Sequence, residues 1–135
     1  MSEAFQDEPY LAMKTVMMPA DTNPHGTVFA GVILSRMAMA GIVGARHAVC
    51  QSGWPKPILV ARAMEHVEFY RAALVGDSVS YWTGVLKIGT TSITLHVRAE
   101  TERGSEVILL AEAEATYVAV DGEQEPHRPV PIRGQ

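Results

Sequence analysis

The chain has 135 residues, which leaves room for one domain with a substantial hydrophobic core. Hydrophobic residues make up 47% of it and charged residues 19%, proportions typical of a globular protein, and the net charge of -4 gives no attraction to nucleic acid or to an anionic membrane. A single cysteine, Cys50, excludes an internal disulfide, and the N-terminus is too acidic for a signal peptide, so we expect a cytoplasmic protein.

The first half of the chain predicts one strand and one long helix. Residues 10–18 are apolar-rich and typical of a strand, and the loop that follows is rich in turn-forming residues. The apolar run over residues 28–50 favours a helix, because it is longer than an ordinary strand, contains strong helix formers and has no proline. A helix with so few polar groups is normally buried on most sides. We expect it not to span a membrane, because it carries Arg36, Arg46 and His47.

The second half of the chain predicts four strands. The hydrophobic period changes from helical to two after residue 57, and turn signals separate residues 58–73, 78–88, 92–102 and 106–120. Consecutive strands joined by short turns are expected to pair antiparallel. The amphipathic sheet should curl around the apolar helix, which gives an α+β fold. The uncovered helix face and the sheet edges favour a symmetric partner subunit, and we expect the tail over residues 121–135 to be extended or partly disordered.

Five sequence motifs stand out along the chain. The loop and the start of the helix, residues 21–35, read Asp-Thr-Asn-Pro-His-Gly-Thr-Val-Phe-Ala-Gly-Val-Ile-Leu-Ser. The other four are His-Val-Glu-Phe from residue 66, Val-Gly-Asp from 75, Gly-Thr-Thr-Ser-Ile from 89 and Ala-Glu-Ala-Thr-Tyr-Val-Ala-Val-Asp from 113. In this order and spacing they resemble the hotdog-fold acyl-CoA thioesterases, and within them the YciA-like branch of cytosolic acyl-CoA hydrolases. The resemblance covers about residues 10–122.

This resemblance implies a fold, a reaction and an assembly. In the hotdog fold a curved antiparallel sheet wraps around one long central helix, here as a single domain over residues 1–135 with loose termini. The implied reaction is hydrolysis of an acyl-CoA thioester to a free acid and CoA, with no metal and no cofactor other than the CoA of the substrate. The implied assembly is a homodimer with one continuous sheet and active sites at the dimer interface, organised further as a trimer of dimers.

The same resemblance implies roles for individual residues. Asn23 is expected near the thioester, with His25 and Phe29 beside the substrate. The backbone N–H groups of Ala30 and Gly31, at the start of the helix, are expected to polarise the thioester carbonyl with help from the helix dipole. A turn with hydroxyl, amide and cationic groups suits the phosphates of CoA, and it comprises Lys87, Gly89, Thr90, Thr91 and Ser92. For His25 a plain turn role is the competing interpretation, because it lies between a proline and a glycine.

One position departs from the family pattern. The family carries a catalytic carboxylate about two turns into the helix, where it activates water or attacks the thioester, and that position falls on Ala38. No Asp or Glu occurs from residue 22 to residue 64. The sequence is equally consistent with natural loss of the carboxylate and with its deliberate replacement. Glu65 or Glu68 could substitute if their strand faced the helix N-terminus, although a glutamate on a strand is more often solvated.

Two functions therefore stay open. The chain is an acyl-CoA thioesterase whose activity is low or abolished because residue 38 is alanine, or it is a non-catalytic acyl-CoA binding or sensing protein on the same scaffold. Turnover of a panel of acyl-CoA esters separates the two, since binding without hydrolysis supports the second. The length of the acyl chain depends on the shape of the pocket and does not follow from the sequence.

Overall fold

A computed structural model describes residues 8–55, 58–122 and 128–133. Its elements in chain order are strand β1 (Tyr10–Val16), a single 3-10 turn (Pro19–Asp21), helix α1 (Ala30–Gln51) and strands β2 (Ile58–Phe69), β3 (Ser78–Ile88), β4 (Ser92–Arg103) and β5 (Glu106–Val120). The predicted order of one strand, one helix and four strands is confirmed. The bounds of β3 and β5 agree with the prediction, whereas β2 ends four residues earlier than predicted, at Phe69.

Helix α1 packs against the sheet through one apolar face. Its buried residues recur every three or four positions and are Ile33, Met37, Ala40, Gly41, Gly44, Ala45 and Val49. At Gly41 a side chain would collide with the Tyr117 hydroxyl, and at Gly44 it would collide with Thr83, so both glycines permit the close packing of these side chains against the helix. The helix is long and apolar enough to cross a membrane, but the core helix of a globular protein has the same properties.

The helix ends where the sequence predicts. The last helical residue is Gln51, and Gly53 follows with a φ of +79°, a left-handed conformation that glycine adopts without strain. The Gly53 N–H donates to the carbonyl of Cys50 over 3.0 Å, and the Trp54 N–H donates to the carbonyl of Val49. These bonds satisfy carbonyl groups that the last turn leaves without helical partners.

The five strands form one antiparallel sheet in the order β1-β3-β4-β5-β2, and α1 contacts every strand. The clearest alternation in the sequence is confirmed on β4, where the four residues that face the helix are fully or almost fully buried: Ile93, Leu95, Val97 and Ala99. The sheet therefore presents an inner face to the helix and an outer face away from it. The α+β hotdog fold predicted from the sequence is confirmed.

One predicted pairing is wrong, because β2 does not pair with β3. Strand β2 lies at one edge of the sheet beside β5, and β3 lies between β1 and β4. The segment of residues 70–77 crosses between these positions next to the start of the helix, where the Val28 N–H donates to the Ala73 carbonyl over 2.9 Å. The turn at Gly76 then joins the end of β1, since its N–H donates to the carbonyl of Met17 over 2.8 Å. The turn directs β3 toward β1 and away from β2.

Part of the C-terminal tail is packed, although the sequence predicts an extended or partly disordered segment. The Val130 N–H donates to the Ala119 carbonyl, and the Ile132 N–H donates to the Thr90 carbonyl, both over 2.9 Å. Ile132 is only 1% exposed, so this side chain belongs to the core. The remaining tail residues, 123–127 and 134–135, lie outside the described part of the chain.

Candidate functional site

The loop before the helix is organised by the side chain of Asn23. Its Oδ1 accepts hydrogen bonds from the N–H groups of His25 at 2.9 Å and Thr27 at 3.2 Å, and its Nδ2 donates to the Thr27 hydroxyl at 2.9 Å. This is an Asx turn, in which the side chain satisfies backbone groups that the loop would otherwise leave without partners. Asn23 therefore shapes the loop, and its amide is already engaged within it. His25 is exposed in this turn, which fits its simpler interpretation as a turn residue.

Asp21 connects the same loop to the residues before it and to the start of helix α1. Its Oδ2 accepts the Met18 N–H at 2.8 Å, and its carbonyl accepts the Phe29 N–H at 3.1 Å. The Arg36 guanidinium lies 3.8 Å from the Asp21 carboxylate, so one turn of the helix is tied to the loop by charge. The position of the helix start relative to the loop is therefore set by several independent contacts.

The first turn of α1 presents free backbone donors. Phe29 is the N-cap residue and provides no side-chain cap. The N–H groups of Ala30 and Gly31 have no acceptor among the described residues, and both residues are exposed. The positive end of the helix dipole adds to the attraction of these donors for an oxygen with partial negative charge. The predicted carbonyl-binding groups are thus accessible at the helix start.

A cleft opens beside these donors, and we call it the N-terminal cleft. It has a volume of about 340 Å³ and is lined by residues of the loop, the helix start and the crossing segment after β2. Its apolar lining comes mainly from Val28, Ile33, Phe69 and Leu110, and its polar lining comes from Asn23, Tyr70 and Arg71. An apolar cleft with a few polar groups is the usual form of a small-molecule site.

Sequence reasoning missed two residues of this cleft. Tyr70 and Arg71 fall inside the predicted second strand, but in the structure they follow its end and line the cleft. The Tyr70 hydroxyl donates to Glu112 Oε1 over 3.2 Å. Partial burial and the negative charge of Glu112 raise the pKa of Tyr70 to about 12, so the hydroxyl stays protonated at neutral pH. The sequence offered no local signal for this, because the predicted strand ran to residue 73 and left only a short turn before the next strand.

Position 38 lies away from the helix start. Ala38 is seven positions after Gly31, which places the two residues about 10 Å apart along the helix axis. The backbone carbonyl of Ala38 accepts a hydrogen bond from the buried Tyr117 hydroxyl at 2.5 Å, and the residue itself is half-buried beside the exposed Ser35 and Met39. The Ser35 hydroxyl donates to the Val32 carbonyl at 3.0 Å, as expected of a packing residue.

The pairing of β2 with β5 shows which face of the sheet carries Glu65 and Glu68. In an antiparallel pair, residues opposite each other point to the same face of the sheet. Glu65 lies opposite Glu114 and Glu68 lies opposite Glu112, while the alternate residues of β5 are the buried Ala111, Ala113 and Ala115. Both glutamates therefore belong to the outer face. Glu68 nevertheless lies close enough to the Tyr70 hydroxyl to contribute to the raised pKa of that residue, so its side chain is near the N-terminal cleft.

The predicted CoA-binding residues lie at the other end of the sheet. Strand β3 runs from the crossing segment to Lys87 and the Gly89 turn, and its eleven residues span roughly 30 Å. In that turn the Gly89 N–H donates to the Ser92 carbonyl at 2.8 Å, and the Thr90 and Thr91 carbonyls accept N–H groups of Ile132 and Ala119. The side chains of Lys87 and Thr90 are exposed. The structure thus brings Asn23, Phe29, Ala30 and Gly31 together and keeps Lys87, Gly89, Thr90, Thr91 and Ser92 apart from them.

Comparison with known proteins identifies the family. The family model described as the Thioesterase superfamily matches residues 25–108. The chain is 34% identical over 129 residues to the acyl-CoA thioester hydrolase YciA of Salmonella typhimurium, with 92% of each sequence covered. Among solved structures it is similar to Cj0915, a hexameric hotdog-fold thioesterase of Campylobacter jejuni, with a TM-score of 0.77, 31% identity and coverage of 90% of this chain and 88% of that one.

A second solved structure is similar to the chain over most of its length. The chain is similar to an aspartate-to-alanine mutant of HI0827, a hexameric broad-specificity acyl-coenzyme A thioesterase, with a TM-score of 0.76, 30% identity and coverage of 93% of this chain and 87% of that one. The helix-in-sheet architecture and the strand order described above agree with these matches. This chain belongs to the thioesterase superfamily of hotdog-fold proteins, and within it to the YciA-like branch.

Proposed function

We propose that this protein binds acyl-CoA thioesters with the thioester carbonyl at the start of helix α1. The observation that carries the proposal is the pair of free N–H groups at Ala30 and Gly31, beside the apolar N-terminal cleft that Ala30 lines. A thioester carbonyl oxygen placed there would accept both hydrogen bonds. These hydrogen bonds would become stronger as negative charge develops on the oxygen during the reaction. Relatives named as acyl-CoA thioester hydrolases support the choice of substrate.

The separation of the candidate residues supports a site shared between two subunits. A group at position 38 is about 10 Å along the axis from Gly31 of its own helix, which exceeds the distance of roughly 3 Å needed for attack on the same carbonyl. The turn of residues 87–92 lies farther still, at the opposite end of the sheet. A two-fold axis that sets two chains side by side in opposite directions would bring the helix start of one chain to the far end of the other.

Exposed apolar side chains supply a surface for such a partner. Phe29, Met39 and Phe69 are between 46% and 51% exposed, and they lie on the helix and at the end of the edge strand β2. Large apolar side chains that are half exposed favour burial against a partner, and the open edge of β2 offers unpaired backbone groups for a second sheet. We therefore propose a homodimer with one continuous sheet, assembled further as a trimer of dimers like its hexameric relatives. We also propose a cytoplasmic location.

The proposed reaction requires a base that this chain lacks at position 38. Hydrolysis consumes water, breaks the C–S bond and releases a free acid and CoA. The donors at the helix start would stabilise the oxyanion, but no carboxylate is present to activate the water, so activity is expected to be low or absent. The reaction needs no metal and no prosthetic group, because backbone donors and a carboxylate suffice for this chemistry.

Non-catalytic binding of acyl-CoA is the second candidate, and Ala38 together with the outward placement of Glu65 and Glu68 favours it. One experiment addresses both candidates. Binding of CoA and butyryl-CoA is measured by calorimetry at low salt, and release of CoA thiol from the same ester is followed in parallel. We expect binding that weakens as salt is added, with hydrolysis that is slow or undetectable. Absence of any CoA binding at low salt would refute both functions.

A further inference from the structure

The N-terminal cleft contains one charged side chain, and that charge is not compensated. Of its three polar lining residues, Asn23 bonds within its own loop and Tyr70 donates to Glu112. The third, Arg71, is exposed, and within residues 8–55, 58–122 and 128–133 its guanidinium makes no recorded ion pair or hydrogen bond. Arginine carries five N–H donors and stays charged at every physiological pH.

The acidic side chains around the crossing segment have other partners, and Glu68 among them interacts with the Tyr70 hydroxyl. Asp77 accepts the Leu74 N–H at 2.8 Å and pairs with Arg103 at 2.7 Å. Glu112 accepts the Tyr70 hydroxyl and lies 3.6 Å from His96 on the outer face of the sheet. The Asp21 carboxylate accepts the Met18 N–H. Arg71 therefore keeps its donors available for an anionic group that enters with a ligand.

We propose that Arg71 determines acyl specificity by binding a carboxylate at the far end of the acyl chain. This inference rests on the function proposed above, in which the thioester carbonyl lies at Ala30 and Gly31. The apolar lining formed by Val28, Ile33 and Leu110 then accommodates the methylene groups of the acyl chain, and Arg71 lies along the same cleft. A planar guanidinium matches a carboxylate with two parallel hydrogen bonds. The preferred substrates are CoA esters of short dicarboxylic acids.

The anionic groups of CoA itself are the competing source of the same chemistry, because a guanidinium binds phosphate as well as carboxylate. The turn of residues 87–92 is the expected site for the phosphates of CoA. Arg71 would then be available to bind the acyl group. The two sources differ in one respect that can be measured. A carboxylate contact affects only esters that carry the carboxylate, whereas a phosphate contact affects every CoA compound equally.

The test compares three ligands and four forms of the full-length chain. Glutaryl-CoA and valeryl-CoA have acyl groups of equal carbon number and differ at the terminal carbon, and free CoA reports on the nucleotide alone. Dissociation constants are measured by calorimetry at one fixed salt concentration for the unmodified chain, Arg71→Gln, Arg71→Lys and Lys14→Gln. Lys14 is an exposed cation on β1 outside the cleft, so its variant loses the same charge at a distance.

We expect the unmodified chain to bind glutaryl-CoA more tightly than valeryl-CoA. Arg71→Gln should weaken the binding of glutaryl-CoA roughly 10- to 100-fold, which corresponds to loss of a charged hydrogen-bonded pair. The dissociation constants of the other two ligands should stay almost unchanged. Arg71→Lys should give an intermediate loss, which keeps the test decisive if Arg71→Gln fails to fold. Lys14→Gln should affect all three ligands alike and only slightly.

Three outcomes would overturn the inference. If Arg71→Gln weakened the binding of all three ligands equally, Arg71 would contact CoA and not the acyl carboxylate. If the binding of all three were unchanged, Arg71 would not belong to the site. Tighter binding of valeryl-CoA than of glutaryl-CoA by the unmodified chain would also refute the specificity. These results leave acyl-CoA binding in place, whereas failure of every CoA compound to bind the unmodified chain would refute the proposed function as well.

Discussion

Substitution of Ala38 by aspartate should create or raise hydrolytic activity if the proposed assignment of position 38 is correct. The residue is half-buried on the part of the helix that borders the exposed Ser35 and Met39, so a carboxylate there would lie near the surface that the proposed dimer covers. A positioned general base typically contributes about 10²–10⁴-fold in rate, and we expect kcat for butyryl-CoA hydrolysis to rise by a factor in that range. The affinity for CoA should change little, because residue 38 lies outside the cleft and the turn of residues 87–92.

The same substitution has a structural cost. Aspartate is a poorer helix former than alanine by about 0.6 kcal/mol, and partial burial of its carboxylate adds roughly 1–2 kcal/mol. Ala38→Asn has a similar shape and helix propensity but carries no charge, which makes it the matched control. Both variants should unfold at lower temperature than the unmodified chain, and only the aspartate variant should gain activity. If Ala38→Asp folds and binds CoA without a gain, or if Ala38→Asn gains as much, the assignment of position 38 is wrong.

Mixed oligomers test whether the carboxylate and the N–H donors come from different chains. Gly31→Pro removes one N–H in the first turn of the helix, where proline is tolerated, so a chain with both Ala38→Asp and Gly31→Pro has the acid and lacks a donor. Such a chain alone and the unmodified chain alone should both be nearly inactive. After the two are unfolded together and refolded, hybrids contain one complete site and activity should appear. No gain over the separate proteins would contradict a site shared between subunits.

Three further predictions concern assembly and stability. Sedimentation at micromolar concentration should show a dimer or hexamer, because apolar groups such as Phe29 and Phe69 are half exposed in one chain, and a stable folded monomer would contradict this. Gly41→Ala should destabilise the fold by roughly 1–3 kcal/mol through its collision with Tyr117, whereas Gly31→Ala, with open space around it, should be neutral or stabilising in thermal unfolding. Burial lowers the pKa of His96, so the unfolded chain takes up more protons below the ordinary histidine pKa of about 6.5. Stability should therefore fall as pH drops through that value, and less so in His96→Gln; an identical pH dependence in both proteins would exclude His96 as the cause.

The regular elements could be predicted because their signals are local. Alternation along β4 identifies its inner face without reference to other strands, and the helix is identified by its length and its lack of proline. Gly53 marks the helix end for a reason confined to one residue, its left-handed conformation. Each of these inferences depends only on neighbours in the sequence.

The incorrect and missing parts depend on contacts between distant residues. The crossing of residues 70–77 is fixed by hydrogen bonds to distant parts of the chain: Val28 donates to Ala73, and Gly76 donates to Met17. The sequence of the segment itself does not identify these partners. Tyr70 and Arg71 line the cleft only because of that crossing. The packed tail has the same origin, since Ile132 becomes a core residue through its contact with the turn at Thr90.

The separation of the candidate site residues has a consequence for how activity can be lost. The carbonyl-binding donors belong to the backbone at Ala30 and Gly31, and they persist as long as the helix start is held by Asp21 and Asn23. In the proposed function the acid would belong to one side chain, at position 38, about 10 Å away along the helix. Binding and catalysis would then depend on different positions, so alanine at residue 38 would remove catalysis and leave the helix start intact. On that proposal, a thioesterase fold without the acid would still bind acyl-CoA.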